Sequence, residues 1–223
     1  MNIKLFIEAI IKVSLGIILV GLLLFLPAGT LDYWNGQLFM CLLFVPMLIG
    51  GIILMIKNPE LLKLRLNNKE KEMEQKEVII LSGIMFLVGF IVAGLNYRFE
   101  WLILPDIVVT ISGILFIFAY ILYAEVLREN TFLSRTIEVQ KDQKVVDTGL
   151  YSIVRHPMYA ITVLLFLTMP LILGSLFSFI IFLVYPFILV KRIKNEEEVL
   201  ERDLKGYKEY KNKVKYRLIP YIW

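Results

Sequence analysis

The chain has 223 residues, 58% of them hydrophobic, and a mean hydropathy of +0.73. That exceeds the roughly 45–50% apolar content of soluble domains and argues against both a soluble globular protein and a disordered one. The net charge of +4 comes from 24 basic and 20 acidic residues, which must be kept apart from the apolar runs. One cysteine, Cys41, excludes an intramolecular disulfide or a CxxC site, and one histidine, His156, leaves too few soft ligands for zinc.

A membrane-spanning helix needs ~20 mostly apolar residues, because the hydrocarbon core is ~30 Å thick. Unpaired backbone groups are not tolerated in lipid, so such runs read as helices. The first run covers roughly 5–26, with Lys4, Glu8 and Lys12 at its polar end. No small-residue cleavage site follows it (Pro27-Ala28-Gly29 is a poor match), so it is expected to remain as a span. Further spans are expected over roughly 37–56, 78–96 and 106–127. Between the second and third, Asn58-Pro59 opens a charged segment running to Glu77. Its mixed-sign sequence NKEKEMEQKE predicts a solvated surface helix.

From Tyr159 to Val190 the chain carries no charge for 32 residues, too long for one straight span. Gly174 and Ser175 near its middle, with Pro170 before them, predict a tight hairpin of helices 158–173 and 176–194. The expected architecture is therefore an all-α integral membrane protein, a polytopic bundle of about six transmembrane helices. One tilted span plus a buried segment would give five. The loops favour six, because alternate connections then gather 23 of the 24 basic residues on one side. The positive-inside rule makes that side, with both termini, cytoplasmic. The natural division is residues 1–127, four N-terminal spans, and residues 128–223, where polar groups concentrate. Topology accounts for the basic residues, so the lipid bilayer is the expected partner and nucleic acid is not.

Two segments can carry chemistry. In Gly149-Leu150-Tyr151-Ser152-Ile153-Val154-Arg155-His156-Pro157-Met158-Tyr159, Pro157 suits the first position of a helix. Arg155 and His156 would then stand before a helix N-terminus, whose free N–H groups and partial positive charge suit an anion. Equally, both can be interfacial anchors against lipid headgroups. In the second segment Ile193, Glu197, Leu200 and Leu204 recur at helical spacing, placing Glu197 on an apolar stripe with Glu196 at its border. An inward carboxylate there demands a cation or donors. The alternative is a solvated acidic helix. The tail that follows interleaves Lys and Arg with Tyr and Trp, a composition that suits a headgroup interface.

Taken together, VVDTGLYSIVRHPMY, the apolar hairpin, RIKNEEEVL and GYKEYKNKVKYRLIP resemble the isoprenylcysteine carboxyl methyltransferase family, with related phospholipid N-methyltransferases similar. The resemblance covers roughly residues 120–223 and extends to Asn130-Thr131-Phe132-Leu133-Ser134. It implies a membrane methyltransferase using S-adenosylmethionine in a cytoplasmic C-terminal pocket and a lipophilic acceptor entering from the bilayer. Carried over residue by residue, the cofactor-binding candidates are Gly149, Tyr151, Arg155, His156, Pro157, Tyr159, Glu196 and Glu197; Arg155, His156 and Glu197 are the catalytic candidates. No metal is implied. Arg155 or His156 would hold the cofactor's carboxylate. Glu196 and Glu197 would hold its ammonium or ribose hydroxyls, and Tyr151 or Tyr159 would pack on adenine or the sulfonium. The family often has Gly-Pro-Tyr where this chain has Gly149-Leu150-Tyr151, which removes a rigid turn but leaves Gly149 free for a positive φ.

Two competing readings follow from other features. Membrane sterol reductases are similar in this half and bind NADPH, but paired glutamates are unwelcome beside its phosphates. A transport or structural role would call for ionisable groups at mid-bilayer, and the spans carry almost none apart from Glu125.

Overall fold

The computed structural model describes residues 3–67 and 73–223. In chain order the helices are α1 (Ile3–Ala28), α2 (Trp34–Lys57), α3 (Pro59–Leu66), α4 (Met73–Phe99), α5 (Asp106–Glu129), α6 (Pro157–Ile172), α7 (Leu176–Phe182), α8 (Tyr185–Asp203) and α9 (Tyr207–Lys213). A 3₁₀ turn covers Gly149–Ser152, and the described residues contain no sheet, only one isolated bridge between Ile103 and Ser175.

Among the described residues, five helical stretches are long and apolar enough to cross a membrane: Ile3–Ala28, Trp34–Lys57, Gln75–Phe99, Asp106–Glu129 and Leu176–Asp203. The chain is thus an all-α, multi-pass integral membrane protein. Its outer surface shows the same thing. Ile18, Leu19, Ile52, Ile53, Ile80, Ile114 and Ile121 all face outward, a surface suited to lipid rather than water. The core is aromatic: Phe39, Phe86, Phe90, Phe116, Phe166 and Phe182 join in edge-on and tilted pairs across α2, α4, α5, α6 and α7.

The expected hairpin exists, with a turn at Gly174 (φ +72°) where the chain reverses. Gly174 N–H donates to Leu171 O and Ser175 N–H to Pro170 O, each at 3.0 Å, closing the end of α6. Side chains from the start of the bundle satisfy the remaining carbonyls. The Tyr33 hydroxyl donates to Leu173 O, and Asn35 Nδ2 donates to Ile172 O at 3.0 Å. The Ser175 side chain caps α7 by accepting from Ser178 N–H at 3.2 Å. The second limb differs from the single helix expected over 176–194, because it breaks at Leu183–Val184 before α8 begins. Pro186, in the first turn of α8, has no N–H to continue the ladder. α6 has 16 residues, about 24 Å at 1.5 Å per residue, shorter than a full hydrocarbon crossing.

The turns sort to two ends. At one end the Tyr33 and Tyr97 rings stack at 4.4 Å, and Ile103 bridges Ser175. This brings the α1–α2, α4–α5 and α6–α7 connections together. At the other end Lys12 reaches Leu66 O, Arg65 Nη1 donates to Ser134 O at 3.3 Å, and Gln75 Nε2 donates to Asn195 Oδ1 at 2.7 Å. The segment expected to be a solvated helix is exposed at Lys76 and Glu77 but not throughout. Residues 68–72 of it lie outside the described residues. On either side, Leu61, Leu62 and Gln75 are buried, because α3 tucks under α2 and the start of α4 reaches α8. The tail also departs from a surface reading. Tyr207, Tyr210, Val214 and Leu218 are buried, and the first three pack with Leu204 against Val139 and Val145.

Candidate functional site

The loop Ile153–His156 leads into α6, with His156 as its N-cap and Pro157 in the first turn. The backbone of this loop, just before the helix, pairs with the tail. Arg155 N–H donates to Tyr216 O and His156 N–H to Arg217 O, both at 2.9 Å. The Arg155 side chain then closes a clamp. Its Nη1 donates to Val214 O at 2.7 Å and Lys215 O at 2.8 Å, and its Nε donates to Glu197 Oε1 at 2.7 Å. Arg217 Nε donates to the other oxygen, Glu197 Oε2, at 2.9 Å, while stacking over the Trp223 ring. His156 Nε2 lies 3.3 Å from Glu197 Oε1.

Glu197 is therefore inward, as the apolar stripe predicted, and its charge is balanced by two arginines. A buried pair of this kind holds only when its remaining donors and acceptors are filled, which the tail carbonyls do here.

Beside this clamp a second arrangement opens onto a recess of about 810 Å³, part of it open to solvent. The Tyr159 hydroxyl donates to Glu196 Oε2 and accepts from Arg192 Nε at 2.8 Å. Arg192 in turn donates to Gln75 Oε1 at 3.0 Å and Arg135 O at 2.8 Å. A relay thus runs from α4 through α8 to α6 and back to Glu196. The Glu196 side chain is 22% exposed, against 3% for Glu197. The His156 and Tyr159 rings lie near parallel at 5.7 Å, and His156 Nδ1 is 3.9 Å from Glu196 Oε1.

The irregular segment after α5 supplies the facing wall, with Asn130, Phe132, Leu133, Ser134, Thr136 and Ile137. Asn130 organises it. Its Oδ1 accepts from Phe132 N–H at 3.0 Å, and its Nδ2 donates to the Tyr151 hydroxyl at 3.1 Å. Tyr210, on the tail, donates to Tyr151 O at 2.7 Å and so locks α9 to the same wall. Burial pushes the Tyr151 and Tyr210 phenols well above their ordinary value, so both stay neutral.

Of the eight candidates, Tyr151, Arg155, His156, Tyr159 and Glu196 line the recess. Gly149, Pro157 and Glu197 stand outside that lining and shape it. Gly149 adopts φ +48°, and a Cβ there would sit 2.2 Å from Glu129 Oε1. Glu129 needs that approach, since its carboxylate accepts from Thr148 Oγ1 at 2.8 Å and Leu150 N–H at 3.2 Å. Residues that the sequence reading did not single out are Arg192, Gln75, Arg217, Tyr207 and Tyr210. Arg192 had a signal, lying one helical turn before Glu196. The tail tyrosines had one in their three-residue spacing, but their composition pointed to a headgroup interface.

A model of the Isoprenylcysteine carboxyl methyltransferase (ICMT) family matches residues 111–202. The match begins within α5, takes in the wall after it, the hairpin and most of α8, and contains all eight candidates. No curated protein matches the chain.

Proposed function

Residues 111–202 being of the isoprenylcysteine carboxyl methyltransferase family, we propose that this membrane methyltransferase uses S-adenosylmethionine, bound in the recess beneath α6 and α8, to methylate a carboxylate or amine of a lipophilic acceptor. The observation that carries this reading is the unequal state of the two adjacent glutamates. Glu197 is neutralised by Arg155 and Arg217, whereas the Glu196 carboxylate, held by the Tyr159 hydroxyl, faces the recess. A carboxylate so placed attracts a cation, and the cofactor carries an ammonium and a sulfonium. Aromatic faces line the recess beside this carboxylate. Phosphates would meet an open carboxylate there, which counts against a NADPH site.

When bound, S-adenosylmethionine supplies a methyl group activated by the positive sulfur. The rest falls to the chain. Glu196, fixed by Tyr159 and Arg192, orients a positively charged group, and the rings of Tyr159 and His156 offer flat packing faces. Arg155 and Glu197 act as positioning residues, pinning the tail against the start of α6 so that the wall stays closed to water. An acceptor carboxylate is already ionised near neutral pH and needs no base. An acceptor amine needs one, and His156, beside Glu197, is placed for it. Holding two reactants in line, with water excluded, contributes up to roughly 7–11 kcal/mol to such a transfer.

By the positive-inside rule the charge-rich end, where the recess lies, is the cytoplasmic one, an arrangement that requires the short α6 to cross paired with the α7–α8 limb. Residues 1–127 serve as the lipid-facing scaffold and 128–223 as the catalytic region. Isothermal titration of the purified protein with S-adenosylmethionine tests the reading. Saturable binding by wild type, weakened at least tenfold in Glu196→Gln, is expected. No binding by correctly folded wild type would overturn it.

A further inference from the structure

Four tyrosines line the recess: Tyr151, Tyr159, Tyr207 and Tyr210. Three hydroxyls are engaged. That of Tyr151 accepts from Asn130, that of Tyr159 bridges Arg192 and Glu196, and that of Tyr210 donates to Tyr151 O. The Tyr207 hydroxyl is buried and, among the described residues, has no hydrogen-bond partner. A buried phenol without a partner is costly and uncommon, and at the wall of a recess it marks a position where a ligand supplies the missing group.

Tyr207 opens α9 directly after Gly206, whose left-handed φ of +88° sets the turn into the helix. Its ring packs tilted against Tyr210 at 5.7 Å, which fixes its direction. The charges acting on its hydroxyl are the Glu197 and Glu196 carboxylates, opposed by Arg155. Arg155 and Arg217 already neutralise Glu197, so the field left at this corner is that of Glu196, and it favours a cation.

Resting on the methyltransferase reading above, we propose that Tyr207 is a cofactor-binding residue whose hydroxyl oxygen accepts a hydrogen bond from the ligand's ammonium group, the Glu196 carboxylate taking another. An ammonium has three donors, and a carboxylate with a neutral phenol oxygen satisfies two of them without adding charge. The site thereby distinguishes ligands with the amino-acid end from ligands without it.

Tyr207→Phe removes only the oxygen, and the folded protein loses no existing bond. Its unfolding temperature without ligand is therefore expected to equal or exceed that of wild type. Its affinity for S-adenosylmethionine and S-adenosylhomocysteine, by calorimetric titration, is expected to fall roughly ten- to a hundredfold, the weight of one hydrogen bond to a charged group. Its affinity for 5′-methylthioadenosine, which keeps the nucleoside but lacks the ammonium, is expected to stay unchanged. Equal S-adenosylmethionine affinity in Tyr207→Phe and wild type would overturn the proposal. An equal loss for 5′-methylthioadenosine would overturn the ammonium assignment, and a lower unfolding temperature without ligand would make the residue structural. If folded wild type binds none of the three, the cofactor reading falls first and this one with it.

Discussion

Two charged clusters lie side by side at the base of α8, one closed and one open. In the closed cluster Glu197 and Arg155 are buried, and Arg217 and the carbonyls of Val214 and Lys215 complete their bonding. In the open cluster Glu196, Tyr159 and Arg192 form a braced wall that still presents a carboxylate to the recess. Adjacent residues on one helix thus do different work, because a 100° step turns one into the core and leaves the next at its edge. On the proposed function, fold stability belongs to the first cluster and ligand recognition to the second.

The comparison breaks most visibly at Glu197. Truncating one partner of a buried pair leaves the other uncompensated and costs about 3–5 kcal/mol. Glu197→Ala and Arg155→Ala are therefore expected to lower the unfolding temperature sharply, as read by thermal unfolding in detergent, and to loosen the tail from residues 155–156. Glu196→Gln is expected to behave in the opposite way: near-wild-type unfolding temperature, but cofactor affinity reduced tenfold or more. Equal destabilisation by the Glu196 and Glu197 substitutions would abolish the distinction.

Gly149→Ala comes next. A side chain at φ +48° costs roughly 1–2 kcal/mol, and the new Cβ would push the Glu129 carboxylate off Leu150 N–H. A moderate fall in unfolding temperature with a smaller loss of affinity is the expected pattern. The smallest effect is expected at the surface pair Asp147–Lys213, 2.7 Å apart and exposed. Lys213 holds the Asp147 carboxyl below its ordinary value. The sign follows directly: its slight contribution is present above the unfolded carboxyl value and is lost as pH falls through the lower folded one. Asp147→Asn should lower the neutral-pH unfolding temperature only slightly, by that contribution, and remove the acid-side slope.

Much of this was legible in the sequence. Charge-free runs of about 20 residues gave the long helices, and Gly174-Ser175 gave the hairpin turn. The period through Ile193, Glu197 and Leu200 gave the buried carboxylate. What escaped depended on distant pairings. Nothing near Gln75 announces Asn195 and Arg192 as its partners, more than 100 residues on. The Lys- and Tyr-rich tail matches an interfacial composition, yet Tyr207 and Tyr210 are buried against Val139 and Val145, a contact with no local signature. Arg155 was legible as important but not as occupied, since carbonyls of residues 214–217 claim its donors and the neighbouring N–H groups.

Hydrogen–deuterium exchange with and without S-adenosylmethionine tests the central claim most directly. Protection is expected over residues 130–137, 151–159 and 196–210, with the turns at 29–33, 100–105 and 173–175 unchanged. Binding accompanied by protection at those turns, and none at the base of α8, would contradict the account.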